Sequence, residues 1–319
     1  MTDYSKLKQT ALNKNPWPVE SKNGLPLVFS PLLKKYAALV HAFTTRQGGK
    51  TPPPRHSFNI SMPKEGNEHL RLDARSNRQR LCESLNLPFE RLTVSGRQVH
   101  AASVVMLEAK AEPGEVDGMA TCEIHSPLIV QAADCVPILI YDPKQNAVCV
   151  VHAGWRGTAA AISKEAVKVM STKSGSNPKD LVAAIGPAIG PCCYPVGLEV
   201  VIELVKSFEG ETWLKAIETK IAGNKNSEIL KDKKLHAGTQ AIIENLGLDG
   251  FFTRDDHQIH VDLKAINAYQ LLQSGIANID VTDFCTFCRP DLFYSFRRAY
   301  VNKEGATGHQ GAIACLMPL

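Results

Sequence analysis

No apolar run in this chain approaches the roughly 18 residues of a membrane span. A membrane-embedded protein is therefore not expected. The first residues, MTDYSKLKQTALNKNPWP, lack the apolar centre of a secretory leader, and the cytosol is the expected compartment. Charge of one sign is also scarce. Lys and Arg number 36 against 32 Asp and Glu, the net charge is +4 with a pI near 8.5, and no block of five or more like charges occurs. The basic residues are scattered, so nucleic acid is not an expected partner. There is no internal repeat, no low-complexity tract and no linker-like stretch. Among the 10 histidines no His-x-His pair occurs, and His257-Gln-Ile-His260 is the nearest approach. That counts against a multicopper oxidase, which needs many clustered imidazoles.

What is present is an ordinary globular composition, 44% hydrophobic and 21% charged over 319 residues. That length is ample for a packed core. Nine cysteines cannot all pair internally. Cys82, Cys122, Cys149 and Cys315 sit in apolar or helical contexts and are expected to be buried thiols. Residues 1–25 are polar, contain Pro16 and Pro18, and read as an arm or a peripheral helix. Residues 26–319 read as a single catalytic domain with a polar, partly helical insertion near 209–260. Periodicity predicts helices over 68–86, 157–171, 197–208 and 262–275. Strands are predicted at 103–107, 128–133, 136–141, 147–153, 181–186, 277–281, 292–296 and 311–317. Strands adjoin strands as often as helices, which indicates a mixed α/β or α+β class.

One hairpin concentrates reactive side chains. Asp142-Pro-Lys-Gln145 is a strong turn signal. A four-residue loop there pairs Tyr141 with Asn146 and sets Cys135 directly opposite His152, on one face of the sheet. The two residues then read as a core pair, a nucleophile with its base, or two ligands of one metal. Gly154-Trp-Arg-Gly157 follows at once, and Arg156 sits where strand passes to helix, a favourable place for an anion. Asp134 adjoins Cys135.

Ala133-Asp-Cys-Val-Pro137 with His152-Ala-Gly-Trp-Arg-Gly157 resembles the family labelled multicopper polyphenol oxidase or laccase-domain proteins, whose members are generally described as purine nucleoside phosphorylases. Further segments are similar to that family in the same order: Thr44-Thr-Arg-Gln-Gly-Gly49, Phe58-Asn-Ile-Ser61, Asn77-Arg78, Gln98-Val-His100, Val116-Asp-Gly-Met-Ala-Thr121, Ile185 through Gly197, Tyr294-Ser-Phe-Arg-Arg298 and Thr307-Gly308. The family follows Thr-Gly with Arg, where this chain has His309.

The resemblance implies a sandwich of mixed β-sheets flanked by helices, similar to the catalytic domain of a deamidating cytotoxic necrotizing factor. It implies His100, Cys135 and His152 as metal ligands, a set suited to zinc, with copper the alternative. It also implies inorganic phosphate as co-substrate and purine nucleosides (adenosine, inosine, methylthioadenosine) as substrates. Phosphate calls for planar guanidinium forks, and the candidates are Arg46, Arg156, Arg297 and Arg298, with Asn77 beside them. Water activated at the metal implies adenosine deamination as a second activity. Asp134 and His309 are the candidates for protonating the departing base.

An alternative is a Cys–His hydrolase or amidase of the cell-wall-precursor-editing class, with Cys135 as nucleophile. A copper polyphenol oxidase and a non-catalytic binding role stand behind it. Cys285-Thr-Phe-Cys288 has metal or redox spacing but no second C-x-x-C, so Cys285 reads as structural or near the site and Cys288 as incidental. Cys192 and Cys193 read as a loop wall near the site. A monomer is the expected state.

Overall fold

The computed structural model describes residues 14–62, 67–108, 112–207, 250–254 and 258–318. Elements are numbered in chain order. One sheet has seven strands in the order β1 (Lys14–Asn15), β15 (Asn278–Thr282), β11 (Val182–Ile185), β9 (Val136–Asp142), β10 (Ala147–Ala153), β7 (Gly118–Thr121) and β6 (Val104–Met106). A second has six, in the order β2 (Val19–Lys22), β3 (Leu25–Val28), β4 (Leu39–Thr44), β16 (Gln310–Leu316), β8 (Leu128–Ala132) and β5 (Thr93–Val94). Both mix parallel and antiparallel pairs. A small ladder joins β12 (Pro195–Val196), β14 (Ile259–Val261) and β13 (Phe252–Arg254). The described helices are α1 (Glu68–Ser84), α2 (Trp155–Ala159), α3 (Ile162–Lys173), α4 (Leu198–Lys206), α5 (Leu263–Gln273) and α6 (Phe296–Val301). The class is mixed α+β, as the strand and helix pattern predicts.

Alternation along β9 and β10 explains the layering. Leu139, Tyr141, Val148 and Val150 pack with Phe43, Val130 and Ala312 of the second sheet. Ile138, Ile140, Cys149 and Val151 pack on the other face with Met170, Leu204 and Tyr269 from helices α3, α4 and α5. The far face of the second sheet, with Leu27, Ile129 and Ile313, is covered by Leu81 and Cys82 of α1. Strands buried on both faces read as near-continuous apolar runs, and every residue of β9, β10 and β16 is buried. Each aliphatic side chain so buried contributes about 1.5–3 kcal/mol.

The structure departs from the sequence reading at several points. The hairpin register is shifted by two. Ala147 pairs with Asp142, Cys149 with Ile140 and His152 with Pro137. The Asp142 carboxylate accepts the amides of Lys144 and Gln145 at 2.8 and 3.1 Å, and Asn146 takes a left-handed φ of 46°. The loop is thus residues 143–146, with Asp142 still in the strand. An even shift preserves the face, so Cys135 and His152 remain on one side.

The helix expected over 157–171 begins earlier, at Trp155 after the Gly154 cap, and breaks at Ala161, whose φ is 58°. Asn267 of α5 holds the break by bonding Thr158 Oγ1 at 2.9 Å and accepting from Ser163 at 2.7 Å. The strand expected at 292–296 is instead a loop leading into α6. The Ser295 hydroxyl caps that helix by accepting the Arg298 amide at 3.1 Å. Residues 14–22 are neither a loose arm nor a helix. They supply β1 and β2, and Trp17 is buried against Phe43. Cys122 is exposed, while Cys82, Cys149 and Cys315 are buried. Most of the insertion expected near 209–260 lies outside the described residues.

Candidate active site

The site lies where the β9–β10 hairpin opens. Cys135 directly precedes β9 and His152 is the penultimate residue of β10. The third ligand candidate, His100, sits in a loop before β6 with a left-handed φ of 59°, a costly conformation for a residue with a side chain. Asp117, fully buried just before β7, accounts for it. Its carboxylate accepts the backbone amides of Val99, His100 and Ala101 at 3.2, 3.0 and 2.8 Å. The same carboxylate accepts His152 Nδ1 at 2.9 Å, and its carbonyl accepts the His152 amide at 2.7 Å. One side chain therefore fixes the loop that carries His100 and orients the His152 ring.

The His100 and His152 rings meet edge to face with centroids 4.8 Å apart. The donor atoms of His100, Cys135 and His152 all lie within 4.8 Å of one another. Gly154 backs this cluster. A Cβ there would stand 2.7 Å from His100 Nδ1 and 3.2 Å from Cys135 Sγ, so the close approach requires glycine. Two imidazole nitrogens and one thiol, converging from strand ends with a carboxylate behind one imidazole, fit a divalent transition-metal ion.

Burial alone would raise the Cys135 thiol. The charge of His152 and hydrogen bonds from His100 and His152 outweigh it and hold the thiol down to about 6. Burial would likewise lower His152, but Cys135 and then Asp117 push it up to about 9. The two shifts run in opposite directions and favour the thiolate–imidazolium form of the pair over the neutral one.

A cleft of about 790 Å3 opens onto the trio, within the range of small-molecule sites. Arg156 and Arg297 both line it. Arg156 stacks on Trp155 at 4.2 Å, and Arg297 lies over Tyr194 at 5.4 Å. Phe296 and Tyr300, one turn apart on α6, stand at the rim with 64% and 74% of their surface exposed.

The other expected residues are placed differently. Arg46 is outside the cleft, bonded to the carbonyls of His56 and Pro290. Asn77 is buried and donates to Thr51 and to the carbonyls of Ser57 and Asn59. Arg298 donates to the carbonyls of Thr286, Phe287 and Phe293. Asp134 lines the cleft, with a φ of 94°. Its carboxylate is held by Thr286 Oγ1 at 2.6 Å, Ser295 Oγ at 3.0 Å and the Arg297 amide at 2.7 Å. Burial pushes this carboxyl up against those three donors. His309 is in the cleft wall, and its Nδ1 has no hydrogen-bond partner among the described residues. Burial, with the charges of His152, Arg55 and His100, holds it down to about 4, hence neutral.

Sequence reasoning gave Asp117, Arg97 and Tyr194 no role. The available signal for Asp117 was its place in the family-like segment Val116–Thr121, which carried no hint of what the carboxylate does. Arg97 lines the cleft beside Gln98 and pairs with Glu115 at 3.5 Å. Tyr194 follows the cysteine pair directly.

Known proteins share this arrangement of chain. A purine nucleoside phosphorylase from Geobacillus stearothermophilus, YlmD, is 35% identical over 286 residues, covering 86% of this chain and 88% of the relative. The crystal structure of YlmD from the same organism superposes with a TM-score of 0.74 at 30% identity, covering 95% of this chain and all of the other. An adenosine deaminase from an unknown prokaryotic organism is 29% identical over 276 residues, covering 82% of this chain and 90% of the relative. The family described as multi-copper polyphenol oxidoreductase laccase matches residues 40–250 and 237–317, and the chain belongs to this family of enzymes.

Proposed function

We propose that this enzyme cleaves purine nucleosides with inorganic phosphate, releasing the base, and that it deaminates adenosine as a second activity. The observation that carries the reading is the convergence of the ligand trio and two aromatic-stacked arginines on one cleft. The relatives' names point the same way. Held by His100, Cys135 and His152, a divalent ion, for which zinc is the best match to the donor set, would supply Lewis-acid polarisation of a substrate atom.

The remaining work falls to the chain. Arg156 and Arg297 bind phosphate, their guanidinium planes fixed by Trp155 and Tyr194. Phe296 and Tyr300 offer faces on which a purine stacks. Neutral His309 lines the cleft as an uncharged ring that leaves the phosphate and base contacts to its neighbours. Asp134 positions α6 through the Ser295 hydroxyl and the Arg297 amide. Among the described residues no helix is long and apolar enough to cross a membrane. We take the working form to be a cytosolic monomer in which residues 26–319, together with the strands of residues 14–22, act as one catalytic unit.

A mass-spectrometric product survey on adenosine, inosine and methylthioadenosine, with and without phosphate, tests the reading. Free base and the matching sugar 1-phosphate (ribose 1-phosphate from adenosine and inosine, 5-methylthioribose 1-phosphate from methylthioadenosine) appearing only with phosphate is the expected result. Turnover of none of the three sinks it.

A second reading rests on a specific geometry. Cys135, His152 and Asp117 form a thiolate–imidazolium–carboxylate chain, with His152 Nδ1 2.9 Å from Asp117, as in a cysteine hydrolase. Amide hydrolysis by metal-free protein, with covalent trapping of Cys135 by an electrophilic substrate analogue, would favour it over phosphorolysis.

A further inference from the structure

Away from the trio, two loops distant in sequence bring four thiols together. Cys192 and Cys193 lie in a 3-10 turn, Pro191–Cys193, while Cys285 and Cys288 flank a short turn after β15. Cys288 Sγ is 3.6 Å from Cys192 Sγ and 3.3 Å from Cys193 Sγ, and all four sulfurs lie within 4.8 Å of one another. Four sulfurs around a tetrahedral zinc, each at about 2.3 Å, stand roughly 3.8 Å apart. The observed spacing brackets that value.

The backbone is shaped for the cluster. The Gly190 amide points at Cys285 Sγ at 3.2 Å. A Cβ on Gly190 would stand 3.3 Å from both Cys192 Sγ and Cys285 Cβ. The loops are joined by Thr286 N bonding to Ala188 O at 3.0 Å. The guanidinium of Arg298, on the carbonyls of Thr286 and Phe287, places a positive charge on the loop that carries two of the thiols.

We propose that Cys192, Cys193, Cys285 and Cys288 form a second metal site, a four-thiolate site for zinc next to the loop that contributes Ile189 and Tyr194 to the cleft wall. A single disulfide would use two of these sulfurs and leave the convergence of the other two unexplained. An ion uses all four, displacing their thiol protons on binding. The site is closed, with four protein ligands and no position left for substrate, which is the arrangement of a structural ion.

Its position gives it a task. Ile189, just before the first pair, bonds Asp134 O through its amide at 3.0 Å, and Thr286, just after Cys285, bonds Asp134 Oδ1 at 2.6 Å. Tyr194, which carries Arg297, follows Cys193 directly. The ion therefore ties together the two loops that grip Asp134, the neighbour of the trio's own cysteine.

The test is a metal count on the full-length protein, purified under reducing conditions without chelator and then loaded with zinc. Wild type should hold two ions per chain. His100→Ala and Cys288→Ser should each hold one. Cobalt-loaded His100→Ala should show the sulfur-to-cobalt charge-transfer bands of a tetrathiolate, and zinc should protect the four thiols of wild type from alkylation. This last measurement serves even if Cys288→Ser fails to fold. One ion per chain in wild type, with Cys192, Cys193 and Cys288 freely alkylated, would overturn the proposal. So would a cysteine–cysteine disulfide, seen as a mass loss of two hydrogens, within a metal-free cluster.

Discussion

The two clusters of ligating side chains are built on opposite plans. The trio mixes nitrogen and sulfur donors, hangs from the ends of buried strands, and faces a cleft of about 790 Å3. The cysteine cluster is all sulfur and is carried by loops, and Cys192 and Cys288 are exposed. Three ligands beside open space leave a coordination position for chemistry, while four ligands leave none. Their supports differ accordingly. Asp117 braces the trio from behind and fixes its geometry before any ion arrives. The four thiols have backbone amides of their own loops, Gly190 and Cys288 on Cys285, and one another, with no charged side chain bonded to them among the described residues. The comparison separates a site held ready by the fold from a site that helps to hold the fold.

The largest effect that would sharpen this contrast is on turnover. Cys135→Ala should lower base release from adenosine by more than about 100-fold, since losing a ligand exceeds the loss from outer-shell changes, with little change in melting temperature. Wild-type activity in that variant would break the assignment of the trio. Asp117→Asn comes next. It keeps the size but removes the charge behind His152 and turns one accepting oxygen into a donor facing two N–H groups, and trio zinc affinity should fall about 10- to 100-fold or more while the cysteine cluster keeps its ion. Equilibrium dialysis against a chelator reads both. A smaller effect is expected from Arg156→Ala. Loss of a charge-assisted bond worth about 1.5–3 kcal/mol should raise the KM for phosphate by roughly 10-fold or more, without altering metal content.

The subtlest difference is in pH dependence. In metal-stripped protein the depressed Cys135 thiol is a thiolate above about 6. Its alkylation rate should rise through that pH and be nearly flat by 8, where an ordinary thiol is still climbing. A midpoint near 9 would show that His152 does not charge beside it.

The hairpin was legible because strands buried on both faces read as apolar runs, and its same-face geometry survived a register error because the error was even. The Asx turn at Asp142, not visible as such in the residue types, set the true register. His100 was reachable only through resemblance. It lies 17 residues from the carboxylate that fixes it, in a loop with no periodicity. Asp117 was visible as a residue but not as a brace, since its importance lies in four donors supplied by tertiary structure. The cysteine cluster escaped for a similar reason, as its pairs are separated by about 95 positions and each looks weak alone. Arg46, Asn77 and Arg298 show the reverse. Their residue types suit phosphate, yet in the fold they meet backbone carbonyls.

The Asp117 carboxylate gathers three consecutive amides, at Val99, His100 and Ala101, together with the His152 ring. Those amides can exchange with solvent only if the carboxylate lets go, so their deuterium uptake should be slow and should occur as one event. Release would swing His100 away while Cys135 and His152 stay on the hairpin. The lifetime of the assembled trio is then set by the opening rate of this single loop.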